Sequence, residues 1–79
     1  MKVTLYTKEG CGLCAQAEEI LRRARKLVRF ETELIYIEDD PALFSRYQDR
    51  IPVIEVGGEE VASAPVEEAR LLAVLSSYA

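Results

Sequence analysis

The chain has no histidine, no tryptophan and no asparagine, and only two cysteines, three prolines and four glycines in 79 residues. Without histidine it lacks the usual general base, the usual metal ligand and the one side chain that ordinarily titrates near neutral pH. Any catalysis must therefore run on other groups. No apolar run approaches the roughly 20 residues needed to cross a bilayer, and the N-terminus reads as a strand with no signal-peptide layout. These features lead us to expect a soluble, cytoplasmic protein with no membrane partner. Basic residues are outnumbered 14 to 10 by acidic ones, a net charge of -4, and form no aromatic-lined stripe, which disfavours nucleic acid as a partner.

What is present suits one domain spanning residues 1–79, because so short a chain cannot bury two separate cores. Hydrophobic residues make up 49% and charged residues 30%, enough apolar material for a core and enough charge for a solvated surface. Lys2 to Thr7 alternates apolar with polar and reads as a strand, interrupted by Lys8-Glu9-Gly10. From about Gly12 to Val28, Ala17, Ile20, Leu21, Ala24, Leu27 and Val28 recur at three- and four-residue intervals, one face of a helix. Glu18 and Glu19 on its other face each precede an arginine by four residues.

Leu34-Ile35-Tyr36-Ile37, within Glu31 to Glu38, has the length and β-propensity of a buried strand, and strand, helix, strand implies a parallel βαβ unit. Asp40 then caps a short helix with Pro41 at its first position, and Leu43, Phe44 and Tyr47 follow at core-facing spacing. Two more strand-like runs, Pro52 to Val56 and Glu59 to Ala62, flank Gly57-Gly58, a hairpin turn. Pro65 is expected to open the last helix, with Val66, Ala69, Leu72 and Leu75 on its apolar face. The fold class is α/β: a βαβ-α-ββα order and a four-stranded mixed sheet with helices packed on both faces.

The chemistry concentrates at Cys11-Gly12-Leu13-Cys14. Bridging these two cysteines closes a loop too small to restrain the unfolded chain, so redox or metal chemistry explains the pair better than structural cross-linking. Cys11 ends the loop after the first strand and Cys14 lies in the first turn of the helix. Unpaired N–H groups and the positive end of the helix dipole favour a thiolate there and lower its pKa. Cys11 is the expected nucleophile, and the more shielded Cys14 the resolving thiol. Gly12 gives the helix entry backbone freedom, and Leu13 offers an apolar contact beside the nucleophile. Lys8, three residues before Cys11, reads equally as an ordinary loop charge or as a cation that favours the thiolate or holds a substrate carboxylate.

Tyr6-Thr7-Lys8-Glu9-Gly10-Cys11-Gly12-Leu13-Cys14, with Ile51-Pro52-Val53 later, resembles the glutaredoxins of the thioredoxin-like superfamily, and nearest the small bacterial glutaredoxin-like proteins. The similarity covers almost the whole chain. It implies a thiol-disulfide oxidoreductase with no bound cofactor and glutathione as a co-substrate. It also implies that the Ile51-Pro52 bond is cis, although X-Pro bonds in general are cis in only about 5–6% of cases. Pro52 would then face the dithiol, the backbone of Ile51 would pair with substrate, and Lys8 would meet a glutathione carboxylate. The match is incomplete: glutaredoxins usually have Pro-Tyr between the cysteines and Thr-Val before the cis-proline, where this chain has Gly12-Leu13 and Arg50-Ile51.

The expected partners are a disulfide-bearing protein or a glutathione mixed disulfide, with a thioredoxin reductase as alternative electron source and the protein a monomer. Two rival readings stand beside this one. The cysteine pair could carry a metal, or an iron-sulfur cluster bridged between two subunits. Alternatively, the domain could be a non-catalytic interaction module on the same fold.

Overall fold

The computed structural model describes all residues, 1–79. Strand β1 (Lys2–Thr7) leads through a short loop into helix α1 (Gly12–Ala24), then strand β2 (Glu31–Tyr36), a 3-10 turn (Ile37–Asp39) and helix α2 (Pro41–Tyr47). Strands β3 (Val53–Val56) and β4 (Glu59–Ser63) form a hairpin, and helix α3 (Glu68–Tyr78) closes the chain. The sheet order is β2-β1-β3-β4. β1 pairs parallel with β2 from Lys2↔Glu31 to Thr7↔Tyr36 and antiparallel with β3 from Val3↔Val56 to Tyr6↔Val53. This is the mixed four-stranded sheet read from the sequence.

Strand alternation sorts the side chains onto two unlike faces. Val3, Leu5, Ile54 and Val56 point to one side, where they bury against Ala17, Leu21 and Ala24 of α1 and Leu71 and Leu75 of α3. On the other side Ile37, Tyr47 and Val53 form a smaller core, packed by Tyr6, Leu43, Phe44 and Ile51. Helices thus cover both faces. Asp40 caps α2 as expected, its carboxylate accepting the N–H groups of Ala42 (2.9 Å) and Leu43 (3.4 Å) with Pro41 at the first turn. Gly57 and Gly58 turn the hairpin at φ of 58° and 83°, angles that cost a side chain energy and glycine nothing.

Three boundaries differ from the sequence pattern. α1 ends at Ala24, because Lys26 and Leu27 bond three residues back and tighten the chain into a turn; Val28 is still buried, but Leu27 is 73% exposed. The run Leu34 to Ile37 is split, since β2 is an edge strand ending at Tyr36, and Ile37 turns into the smaller core. α3 begins at Glu68 and not at Pro65, which lies in the connection after a cis Ala64-Pro65 bond. The residues it buries are therefore Leu71 and Leu75, while Ala69 is exposed.

Candidate active site

The site forms where β1 ends. Gly10 takes φ of 72°, which turns the chain from the strand into the helix. Cys11 is the N-cap of α1, extended at φ -96° and ψ 108°, and its Sγ accepts the backbone N–H of Cys14 at 3.2 Å. The sulfur thus occupies the position where a serine or aspartate oxygen commonly caps a helix. No acidic residue sits in the first turn of α1, so the positive end of the helix is left to the sulfur. The two cysteines are joined as a disulfide with Cα atoms 5.2 Å apart. They differ in access: Cys11 is half-buried, whereas Cys14 is 1% exposed.

Gly12 and Leu13 are the first residues of α1, and Leu13 is 49% exposed beside the nucleophile. Gly12 does not need to be glycine on steric grounds, since a Cβ there meets no atom within 4 Å and its φ is negative. The glycine that backbone geometry does require is Gly10, which spacing alone does not single out. Lys8 is exposed, with its ammonium over the Phe44 ring, 5.9 Å from the centroid. That contact draws the side chain toward α2. The backbone N–H of Glu9 donates to both carboxylate oxygens of Glu38, at 3.3 and 3.4 Å, tying the cysteine loop to the 3-10 turn. Glu38 is a further residue the sequence pattern did not mark.

Pro52 is fully buried after a cis Ile51-Pro52 bond, immediately before Val53 of β3, the cross-strand partner of Tyr6. Ile51 packs on the smaller core, and its N–H donates to the carbonyl of Tyr47 at 3.1 Å. That donor is committed within the protein. An open cleft of about 350 Å³ on the α1 and β2 side of the dithiol joins Lys8, Cys11, Gly12 and Cys14 but excludes Leu13, Ile51 and Pro52. Of the expected site residues, Lys8, Cys11, Gly12 and Cys14 thus border the cleft, whereas Leu13, Ile51 and Pro52 lie outside it, the last two just before β3.

Behind this site, the smaller core holds a carboxylate. Glu55 accepts the Tyr6 hydroxyl at 3.0 Å and the Tyr47 hydroxyl at 3.2 Å, and the two rings stack with centroids 4.5 Å apart. Burial, reinforced by the hydrogen bond and charge of Glu55, pushes the Tyr6 phenol up to about 12, and Tyr47 is raised for the same reasons. Both phenols keep their protons at neutral pH and serve as donors.

The family described as Glutaredoxin-like domain (DUF836) matches residues 2–76. The chain belongs to this glutaredoxin-like family. Among relatives, the uncharacterized protein Rv0508 of Mycobacterium tuberculosis is 30% identical over 77 residues, covering 91% of this chain and 79% of its own. Among solved structures, protein XcR50 of X. campestris is 39% identical with a TM-score of 0.78, covering 95% of this chain and 96% of that one. Thioredoxin 1 of Thermosipho africanus, at 13% identity, has a TM-score of 0.71 over 99% of this chain and 93% of its own, a likeness of fold alone. The glutaredoxin-like chain thus has a thioredoxin-type fold with its cysteine pair at disulfide distance. No helix is long and apolar enough to cross a membrane.

Proposed function

We propose that the protein is a cytoplasmic thiol-disulfide oxidoreductase in which Cys11 attacks and Cys14 resolves. The reading is carried by Cys11 as the sulfur N-cap of α1, with the Cys14 N–H on its Sγ and no acid in the first turn. A helix start of this kind favours thiolate over thiol. The reduced form attacks one sulfur of a substrate disulfide; the S–S bond breaks, a mixed disulfide forms at Cys11, and the first product leaves as a thiolate that takes a proton from solvent. Cys14 then loses its proton and attacks the Cys11 sulfur, releasing the second product thiol. Two electrons pass to the substrate and the protein ends with the Cys11–Cys14 disulfide.

Burial of Cys14 suits the second role, since a sealed thiol meets no outside disulfide yet lies one helical turn from the sulfur it must attack. Leu13, Gly12 and Ile51 are the proposed contacts for a substrate segment around its disulfide, with the sealed Pro52 fixing the backbone that follows Ile51. Either a protein disulfide or a glutathione mixed disulfide fits this chemistry, with glutathione or a thioredoxin reductase returning the electrons. Lys8 is the group that would meet a glutathione carboxylate.

Cysteine substitutions test the assignment. Cys11→Ser should abolish disulfide reduction, and Cys14→Ser should accumulate a mixed disulfide at Cys11, visible as an adduct by mass spectrometry. Full activity in Cys11→Ser, or no adduct on Cys11 in Cys14→Ser, contradicts the reading.

A further inference from the structure

The cleft beside the dithiol has a chemical character that the redox reading leaves unused. On its α1 side stands Glu18, four residues after Cys14 and so on the same helical face, where neighbouring Cβ atoms are about 5–6 Å apart. The sequence pairs Glu18 with Arg22, but in the structure Arg22 and Arg23 both turn to Glu19, and Glu18 has no ion-pair partner. On its β2 side stands Tyr36, the register partner of Thr7. Thr7 is 3% exposed, lines the cleft and makes no side-chain hydrogen bond. The only wholly sealed side-chain oxygen without a partner is that of Thr32, so the Thr7 hydroxyl keeps an opening, and the cleft adjoins it.

Side-chain charge in the cleft is net negative by one, offset in part by the positive end of α1 and by Arg22 and Arg25 on the other side of Glu18. Glu9 and Glu18 line it against Lys8 alone, whose ammonium leans out over Phe44. Glu38 does not line the cleft but places a further carboxylate against the Glu9 N–H. An unpaired carboxylate, an aromatic wall and an unused buried hydroxyl, all lining the cleft that Cys11 borders, match a protonated amine or guanidinium. We infer that this cleft is a subsite for a cationic group adjoining the substrate disulfide, so that the preferred substrate carries a basic residue beside its reactive cysteine. This deepens the oxidoreductase reading and rests on it.

The test uses reduced protein and three small disulfides of similar size: cystamine (cationic), hydroxyethyl disulfide (neutral) and dithiodiglycolate (anionic). Each rate of thiol oxidation is divided by the rate of the same disulfide with free mercaptoethanol, in about 0.1 M salt, where charges beyond roughly 10 Å are screened. Cystamine should exceed dithiodiglycolate severalfold, with the neutral probe between. Glu18→Gln should lower the rate ratio of cystamine to the neutral probe about two- to threefold, the effect of one unit charge roughly 6 Å away in water with partial screening by salt. Glu31→Gln removes the same charge at the far end of β2, some 16 Å from Tyr36 by strand rise, and should leave the ratio nearly unchanged.

Equal normalised rates for the three probes overturn the subsite while leaving the dithiol chemistry standing. Equal shifts in the two variants also overturn it, because the preference would then come from the net charge of -4 and not from the cleft. Failure to react with any of the three takes down the oxidoreductase reading and the subsite with it.

Discussion

The two faces of the sheet are held by different physics. Under α1 and α3 the core is built of apolar side chains, from Val3 and Leu5 to Leu71 and Leu75, with Thr7 and Thr32 the buried hydroxyls of that face. Under α2 the buried set is small, and the space around it is filled by two stacked tyrosines donating to one glutamate. The first face gains by removing area from water and tolerates any well-fitting hydrocarbon. The second depends on donors and acceptor meeting, so it specifies where α2 sits. The dithiol lies at the join, with Cys14 sealed beneath α1 and Lys8 leaning over Phe44 of α2.

Truncation should separate the faces most widely. Leu5→Ala empties a fully buried position of the larger core and should cost about 3 kcal/mol, within the range of such deletions. Thr4→Ala, one residue earlier and on the opposite, partly open side, should cost less than about 0.5 kcal/mol. Denaturant unfolding of the two variants measures the gap. Comparable losses would mean that the faces are not distinct in the way alternation implies.

On the polar face, Glu55→Leu leaves two partly buried phenols without their acceptor and should cost about 2 kcal/mol, the typical penalty for orphaned donors. Glu55→Gln, which keeps an acceptor, should cost less. The same contacts set an alkaline limit. Tyr6 is raised to about 12 in the folded protein, against about 10 for a free phenol, so the folded state holds a proton that the unfolded chain releases. Stability from this phenol is complete below about pH 10 and is lost as pH rises from about 10 to 12. A spectrophotometric titration should show Tyr6 ionising at lower pH in Glu55→Leu, though still above an ordinary tyrosine because burial, the larger cause, remains.

A smaller effect should separate the two loop glycines. Gly10→Ala forces a Cβ into a left-handed backbone and should cost about 1 kcal/mol. Gly12→Ala meets open space at the first position of a helix and should be neutral to slightly stabilising. Thermal unfolding of the reduced and oxidised forms of each variant would check this. Equal costs would show that the turn is not what Gly10 is for.

These contrasts mark what the sequence could reveal. Alternation marked β1, three- and four-residue spacing marked α1 and α3, and length with β-propensity marked β2, while Asp40-Pro41 and Gly57-Gly58 were readable because their local geometry depends on residues next to one another. Cys11 and Cys14 were readable for the same reason: a helix start and its cap are three residues apart. The cleft was not, because Thr7 and Tyr36 meet only through parallel register across 29 positions, and an unpaired Glu18 looks the same in sequence as a paired one. Glu55 went unmarked, since nothing local announces that hydroxyls from β1 and α2 converge on it. Pro65 misled because a proline that can begin a helix serves equally well in a connection.

The smallest expected effect lies at the rim of the apolar face, where Arg23 of α1 reaches Glu68 of α3 through two hydrogen bonds of 2.8 and 2.9 Å. The hydrogen bond from Arg23 holds the Glu68 carboxyl below the usual carboxylate range. A depressed folded-state value stabilises the protein above the ordinary pKa of a glutamate, about 4.3, and that contribution is lost as pH falls through the folded-state value. Both side chains are about half exposed, so water and salt screen the pair, and side-chain ordering offsets part of its attraction. Glu68→Gln should therefore lower the unfolding midpoint only slightly at pH 7, and by less still in high salt or below the titration of Glu68. A loss rivalling Leu5→Ala would show that α3 is held by this clasp more than by Leu71 and Leu75, reversing the account of the apolar face.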